Sequence, residues 1–134
     1  LTPSFPHNYQ KMNNRLEEEL RRSPEGTREA LEAFKSTGEI DQLEIFARGI
    51  ITRNIDDSYH ETLRTADDST RMIEDLGIDS LSMLDIIMTF EDALDIQLID
   101  NDVVGLETLG DMKAKLIGKI QGSEARSENS PNLK

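Results

Sequence analysis

The 134-residue chain has no cysteine and no tryptophan, and aromatic residues make up only 4% of it. Without cysteine there is no disulfide framework, no thiolate metal site and no thiol nucleophile of the chain's own. That absence fits a reducing compartment. With so few aromatics, the core has to be small and aliphatic. No apolar run approaches the length of a membrane span. The length suits one ordinary domain with extensions. The first residue is Leu1 rather than Met, as in a processed or trimmed chain. Residues 1–16 carry Lys11 and Arg15 and no acid, yet they lack the apolar core of a targeting signal.

What the chain has in excess is negative charge, −12 overall. Residues 1–39 carry net −1, residues 40–121 net −11 and residues 122–134 net zero. Between Arg71 and Lys113 there are eleven Asp or Glu and no Lys or Arg. Such a block repels nucleic acid and anionic lipid and attracts basic protein surfaces. A solvated acidic face is the plainer reading of a charge run, but this block is also the most apolar-periodic part of the chain.

The periodicity is helical throughout, and no strand pair is expected. Residues 1–8 read as coil. Tyr9, Met12, Leu16 and Leu20 form one helical stripe. Ser23 is expected to cap a second helix with Pro24 at its first position, carrying Ala30, Leu31 and Phe34 and ending at Thr37-Gly38. A third helix starts from Asp41 as N-cap and carries Leu43, Phe46, Ala47 and Ile50. Residues 56–79 form a long polar connection with Met72, Ile73, Leu76 and Ile78 near its end, a length that is functional or pinned by buried side chains. Another helix runs to Leu94, a short helical turn is expected at Asp102–Val104, and Thr108 opens the last helix with Asp111 in the capping-box position. Residues 122–134 are small and polar and read as a disordered tail.

Residues 80–94, at 100° per residue, gather Met83, Ile86, Ile87, Phe90 and Leu94 on one side. Leu81, Leu84, Asp85, Met88, Asp92 and Asp95 gather opposite, with Glu91 at the edge. A surface helix needs one apolar stripe. Periodicity leaves two readings of the second stripe: a docking face ringed by acids, or Leu81 and Leu84 packed under the long loop. Ser80 falls in the first turn behind Asp79, a good N-cap. The dipole and free N–H groups there favour an anion, so a phosphate esterified to Ser80 is well placed. The alternative is that Ser80 merely belongs to the cap. As a hydrolase nucleophile Ser80 is poor: there is no G-x-S-x-G elbow, and only His7 and His60, each in a region read as coil, could serve as imidazole bases. Asp95, Asp100 and Asp102 lack the central Gly and twelfth-position Glu of a calcium-binding loop.

EDLGIDSL at 74–81, followed by MLDIIMTFEDALDIQL at 83–98, resembles the acyl carrier proteins over roughly residues 40–121. The resemblance implies an all-α four-helix bundle with a long loop after its first helix and a short third helix, preceded here by one or two extra helices in residues 1–39. It implies a non-catalytic carrier with a 4′-phosphopantetheine arm on Ser80, flanked by Asp79 and Leu81, whose thiol holds acyl groups as thioesters. The partners it implies are a phosphopantetheinyl transferase and acyl-loading and acyl-processing enzymes with basic docking patches, met by Leu81, Leu84, Asp85, Met88, Glu91 and Asp92. It implies an acyl pocket of Phe46, Ile50, Met72, Ile86, Ile87, Phe90 and Leu94. Nucleic acid and membrane are not expected as partners, and a monomer is, in the cytoplasm or else an organelle matrix.

The departures point to a particular kind of carrier. Ser82 stands where the family often has an acid, Met72 where a Phe is common, and Asp67-Asp68-Ser69-Thr70 matches only in character. Residues 1–39 lie outside the resemblance, which points to a carrier dedicated to a specialised lipid or secondary-metabolite pathway. The competing reading is a carrier-like interaction subunit with Ser80 unmodified.

Overall fold

The computed structural model describes the backbone of residues 7–129 and the side chains of residues 14–122. Among these it has seven α-helices: α1 (His7–Arg22), α2 (Thr27–Thr37), α3 (Ile40–Asn54), α4 (His60–Arg64), α5 (Ser80–Leu94), α6 (Asp100–Val104) and α7 (Leu109–Asn129). A single 3-10 turn, Asp57–Tyr59, precedes α4. The all-α expectation holds.

One aliphatic core joins the helices. Phe46 of α3 and Phe90 of α5 meet at its centre with ring centroids 5.9 Å apart, and Ile50, Ile86 and Leu116 are buried around them. Leu20, Ala30 and Leu31 belong to the same cluster, so the N-terminal helices pack on the bundle. The closest seam lies between α2 and α3. A Cβ on Gly49 would stand 2.1 Å from the Thr27 hydroxyl oxygen, so only glycine lets the two backbones approach this far. At the C-terminus of α3, the Asn54 amide donates to Glu19 at 3.1 Å and Arg53 lies 3.7 Å from the same carboxylate. Of the sequence stripe, Leu16 and Leu20 pack on the core; the side chains of Tyr9 and Met12 lie outside those described.

Three expected helix boundaries are corrected. α2 starts at Thr27 rather than Pro24, because Gly26 takes φ 95°, a left-handed geometry no helix continues through. Ser23 instead donates its hydroxyl to the Glu19 carbonyl at 2.7 Å. α3 is preceded by Glu39, and Asp41 sits inside the first turn, where its charge favours the dipole without capping. The expected disordered tail is helical as far as Asn129: Ser123-Glu124-Ala125-Arg126 offers no breaker, so the backbone hydrogen-bond ladder continues. Residues 130–134 of that tail lie outside the described residues.

The long connection is pinned as its apolar residues require. Met72, Leu76 and Ile78 are buried, while Ile73 is exposed. Arg48 donates to the carbonyls of Leu63 and Ala66, both at 2.9 Å, tying α3 to the end of α4. Met72 N–H donates to the Glu107 carbonyl and Leu109 N–H to the Thr70 carbonyl, each at 2.9 Å. These bonds fasten the connection beside the start of α7. There the capping box forms: Asp111 accepts from Thr108 N–H at 3.0 Å and Thr108 accepts from Asp111 N–H at 3.1 Å.

Candidate functional site

The turn before α5 is built by Asp75, Gly77 and Asp79. The Asp75 carboxylate accepts the Arg71 N–H at 2.8 Å. Gly77 has φ 68°, and a Cβ there would stand 2.5 Å from the Tyr59 ring. Both the left-handed backbone and the close approach of Tyr59 therefore call for glycine. Ile78 follows as a buried anchor, its N–H on the Met72 carbonyl at 3.2 Å. Asp79 caps the helix as expected, accepting the Ser82 N–H at 2.8 Å, and that bond holds its carboxyl below the usual range.

Ser80 is the first residue of α5 and is exposed. Beside it opens a groove of about 1000 Å³ between α5, α6 and the long connection. Met83, Leu84, Ile87 and Met88 form one wall, and Leu98, Val103, Val104 and Leu106 the other. Glu74, Asp79, Glu91, Asp100 and Glu107 contribute carboxylates to its lining, against the one cation Arg71. Apolar walls with an acidic rim suit a long flexible chain entering from a positively charged partner.

The second stripe of α5 faces outward. Leu81 is 69% exposed, Leu84 52% and Met88 37%, so neither Leu81 nor Leu84 is packed under the loop. The acids of that stripe differ in what they meet. Glu91 accepts the Leu98 N–H at 2.8 Å and shapes the loop after α5. Asp85 is paired with Arg15 of α1 at 3.0 Å. Burial pushes the Asp92 carboxyl up, against the opposing charge of Arg15.

Of the seven residues expected to line an acyl pocket, Phe46, Ile50, Met72, Ile86, Ile87 and Phe90 are buried and Leu94 is packed against them. Ile87 alone of the seven lines the groove beside Ser80. Sequence reasoning missed the other wall of that groove, and it missed the ion pairs of Asp102. The Asp102 carboxylate meets Lys119 at 2.9 Å and Lys115 at 3.3 Å, locking α6 to α7. It also accepts the Ile99 N–H at 2.9 Å. The Lys119 and Ile99 bonds, with help from Lys115, draw its carboxyl down to about 2. The signal was there in the spacing of Lys115 and Lys119, one turn apart on α7. No group of three or more His, Asp or Glu among the described residues can hold a metal ion, and no described helix is long and apolar enough to cross a membrane.

A family profile described as a phosphopantetheine attachment site matches residues 59–116, which hold the turn, Ser80, both groove walls and, of the α6–α7 lock, Asp102 and Lys115. An acyl carrier protein of Rhodococcus erythropolis is 40% identical over 58 residues, 43% of this chain and 63% of that protein. One of Akkermansia muciniphila is 41% identical over 58 residues, 43% of this chain and 69% of that protein. A meromycolate extension acyl carrier protein of Mycolicibacterium aurum is 45% identical over 42 residues, 31% of this chain and 43% of that protein. No solved structure matches. The chain belongs to the acyl carrier protein family. Membership places it among proteins with a phosphopantetheine attachment site. The matched stretch spans just under two thirds of the Rhodococcus relative, at 63%.

Proposed function

We propose that this chain shuttles acyl groups on an arm attached to Ser80, between enzymes of a fatty acid, specialised lipid or polyketide-type synthesis. The observation that carries the reading is an exposed serine hydroxyl at the N-terminus of a fifteen-residue helix, at the mouth of an apolar groove. Under a phosphopantetheinyl transferase, the Ser80 oxygen loses its proton and bonds to the arm's phosphorus, the pyrophosphate bond of coenzyme A breaks, and adenosine 3′,5′-bisphosphate leaves. Asp79 fixes the first turn, and the remaining N–H groups and dipole of α5 favour the phosphate. When attached, the arm supplies a thiol that holds the acyl group as a thioester. Leu81, Leu84 and Met88 offer partner enzymes buried area, and the surrounding carboxylates offer attraction to basic patches. Ile87 and the walls of the groove receive the start of the acyl chain, and the core residues behind, from Phe46 to Leu94, yield to a longer one.

Residues 40–121 form the carrier proper, and residues 7–37 a docked helical cap on it. A monomer in the cytoplasm fits the acidic, cysteine-free chain. The meromycolate relative and the extra helices support a specialised lipid as cargo. The test is intact mass before and after incubation with coenzyme A, Mg²⁺ and a broad-specificity phosphopantetheinyl transferase, with Ser80→Ala alongside. The expected result is one added phosphopantetheine on the wild type and none on the variant. An unmodified wild type, beside a modified control carrier, overturns the reading in favour of an interaction subunit.

A further inference from the structure

The acids of α5 do not stand equally free. On the groove side, Glu91 belongs to a rim with Glu74, Asp79, Asp100 and Glu107. On the other side, α1 lies against α5 and inserts a cation of its own. One Arg15 Nη donates to the Asp85 carboxylate at 3.0 Å and to the Asp85 backbone carbonyl at 3.3 Å. The Arg15 Nε is buried without a hydrogen-bond partner, so the guanidinium is wedged between the helices rather than waving from the surface. Its charge also reaches Asp92. Among the described residues, this is the ion pair that α5 makes.

A basic side chain arriving at Asp85 therefore meets a resident guanidinium, which repels it and holds the carboxylate it seeks. One arriving over the groove meets carboxylates with only Arg71 against them. We infer that Arg15 is a specificity-determining residue of the docking surface: it closes the Asp85 flank of α5 to basic patches and admits partner enzymes from the α6 side. The extra N-terminal helices thus narrow the set of enzymes that serve this carrier. This inference rests on the carrier reading and adds to it a direction of approach.

The test is the kcat/KM of phosphopantetheine transfer by a broad-specificity transferase, on full-length wild type, Arg15→Ala and the double variant Arg15→Ala/Asp85→Asn, at low and high salt. Arg15→Ala is expected to raise kcat/KM about threefold or more at low salt, through KM. The gain is expected to vanish in the double variant and to shrink at high salt. If the substitution loosens α1, the same carboxylate is freed, and the same gain is expected. A rate for Arg15→Ala equal to or below that of the wild type, with both proteins modified, overturns the role of Arg15 alone. So does a gain that survives in the double variant. No modification of the wild type beside a modified control overturns the carrier reading and this inference together.

Discussion

Two short helices flank the bundle in opposite ways. α2 lies on α3 so closely that the seam has no room for a Cβ at Gly49. α6 stands off from α5, leaves a groove of about 1000 Å³ open beside Ser80, and is held from behind by the ion pairs of Asp102. The first contact is made by shape, which permits no slack. The second is made by charge, which fixes where the helix is anchored while leaving its apolar face unfilled. A carrier has use for both: a closed side that stabilises it and an open side that receives cargo.

The closed side gives the largest expected effect. Gly49→Ala pushes α2 off α3 and should destabilise the protein by about 1–3 kcal/mol, the usual range for overpacking. A thermal or denaturant melt measures it, and Thr27→Ala in the same chain should recover part of the loss. Retention of full stability by Gly49→Ala would mean that the seam has more give than its geometry shows. Gly77→Ala comes next. It forces a side chain into a left-handed backbone against the Tyr59 ring, at a cost of order 1–2 kcal/mol for the backbone alone. Because that turn presents Ser80, slower modification by the transferase should accompany the lower melting temperature.

The open side gives the smallest effect and the most specific one. The carboxyl of Asp102 is lowered from 3.8 to about 2 in the folded protein. Its stabilisation is therefore complete above the unfolded value and is lost as pH falls through the folded one. Melting temperatures of wild type and Asp102→Asn should differ most above pH 4 and converge towards pH 2. A difference that stays constant over that window would show that α6 is held by packing instead.

Much of the site could be read before the fold was known, because its signals are local. A helix N-terminus needs only Asp79 and its neighbours in sequence. The two faces of α5 follow from a period of 3.6 residues. The boundary of α2 was misread for an equally local reason, since Pro24 and Gly26 compete and the backbone of Gly26 prevailed. The α6 wall of the groove was not legible, because Val103, Val104 and Leu106 acquire their role only by facing α5 across space.

The same division runs through the whole molecule. By itself the chain determined an all-α architecture, an acidic carrier region and a serine set at a helix start, since each depends on residues a turn or less apart. Only tertiary packing decided that the N-terminal helices share the core, that Arg15 reaches Asp85 seventy residues away, and that α6 stands clear of α5. Contacts of that span leave no periodic trace. They are settled by which surfaces fit and which charges meet once the helices have formed.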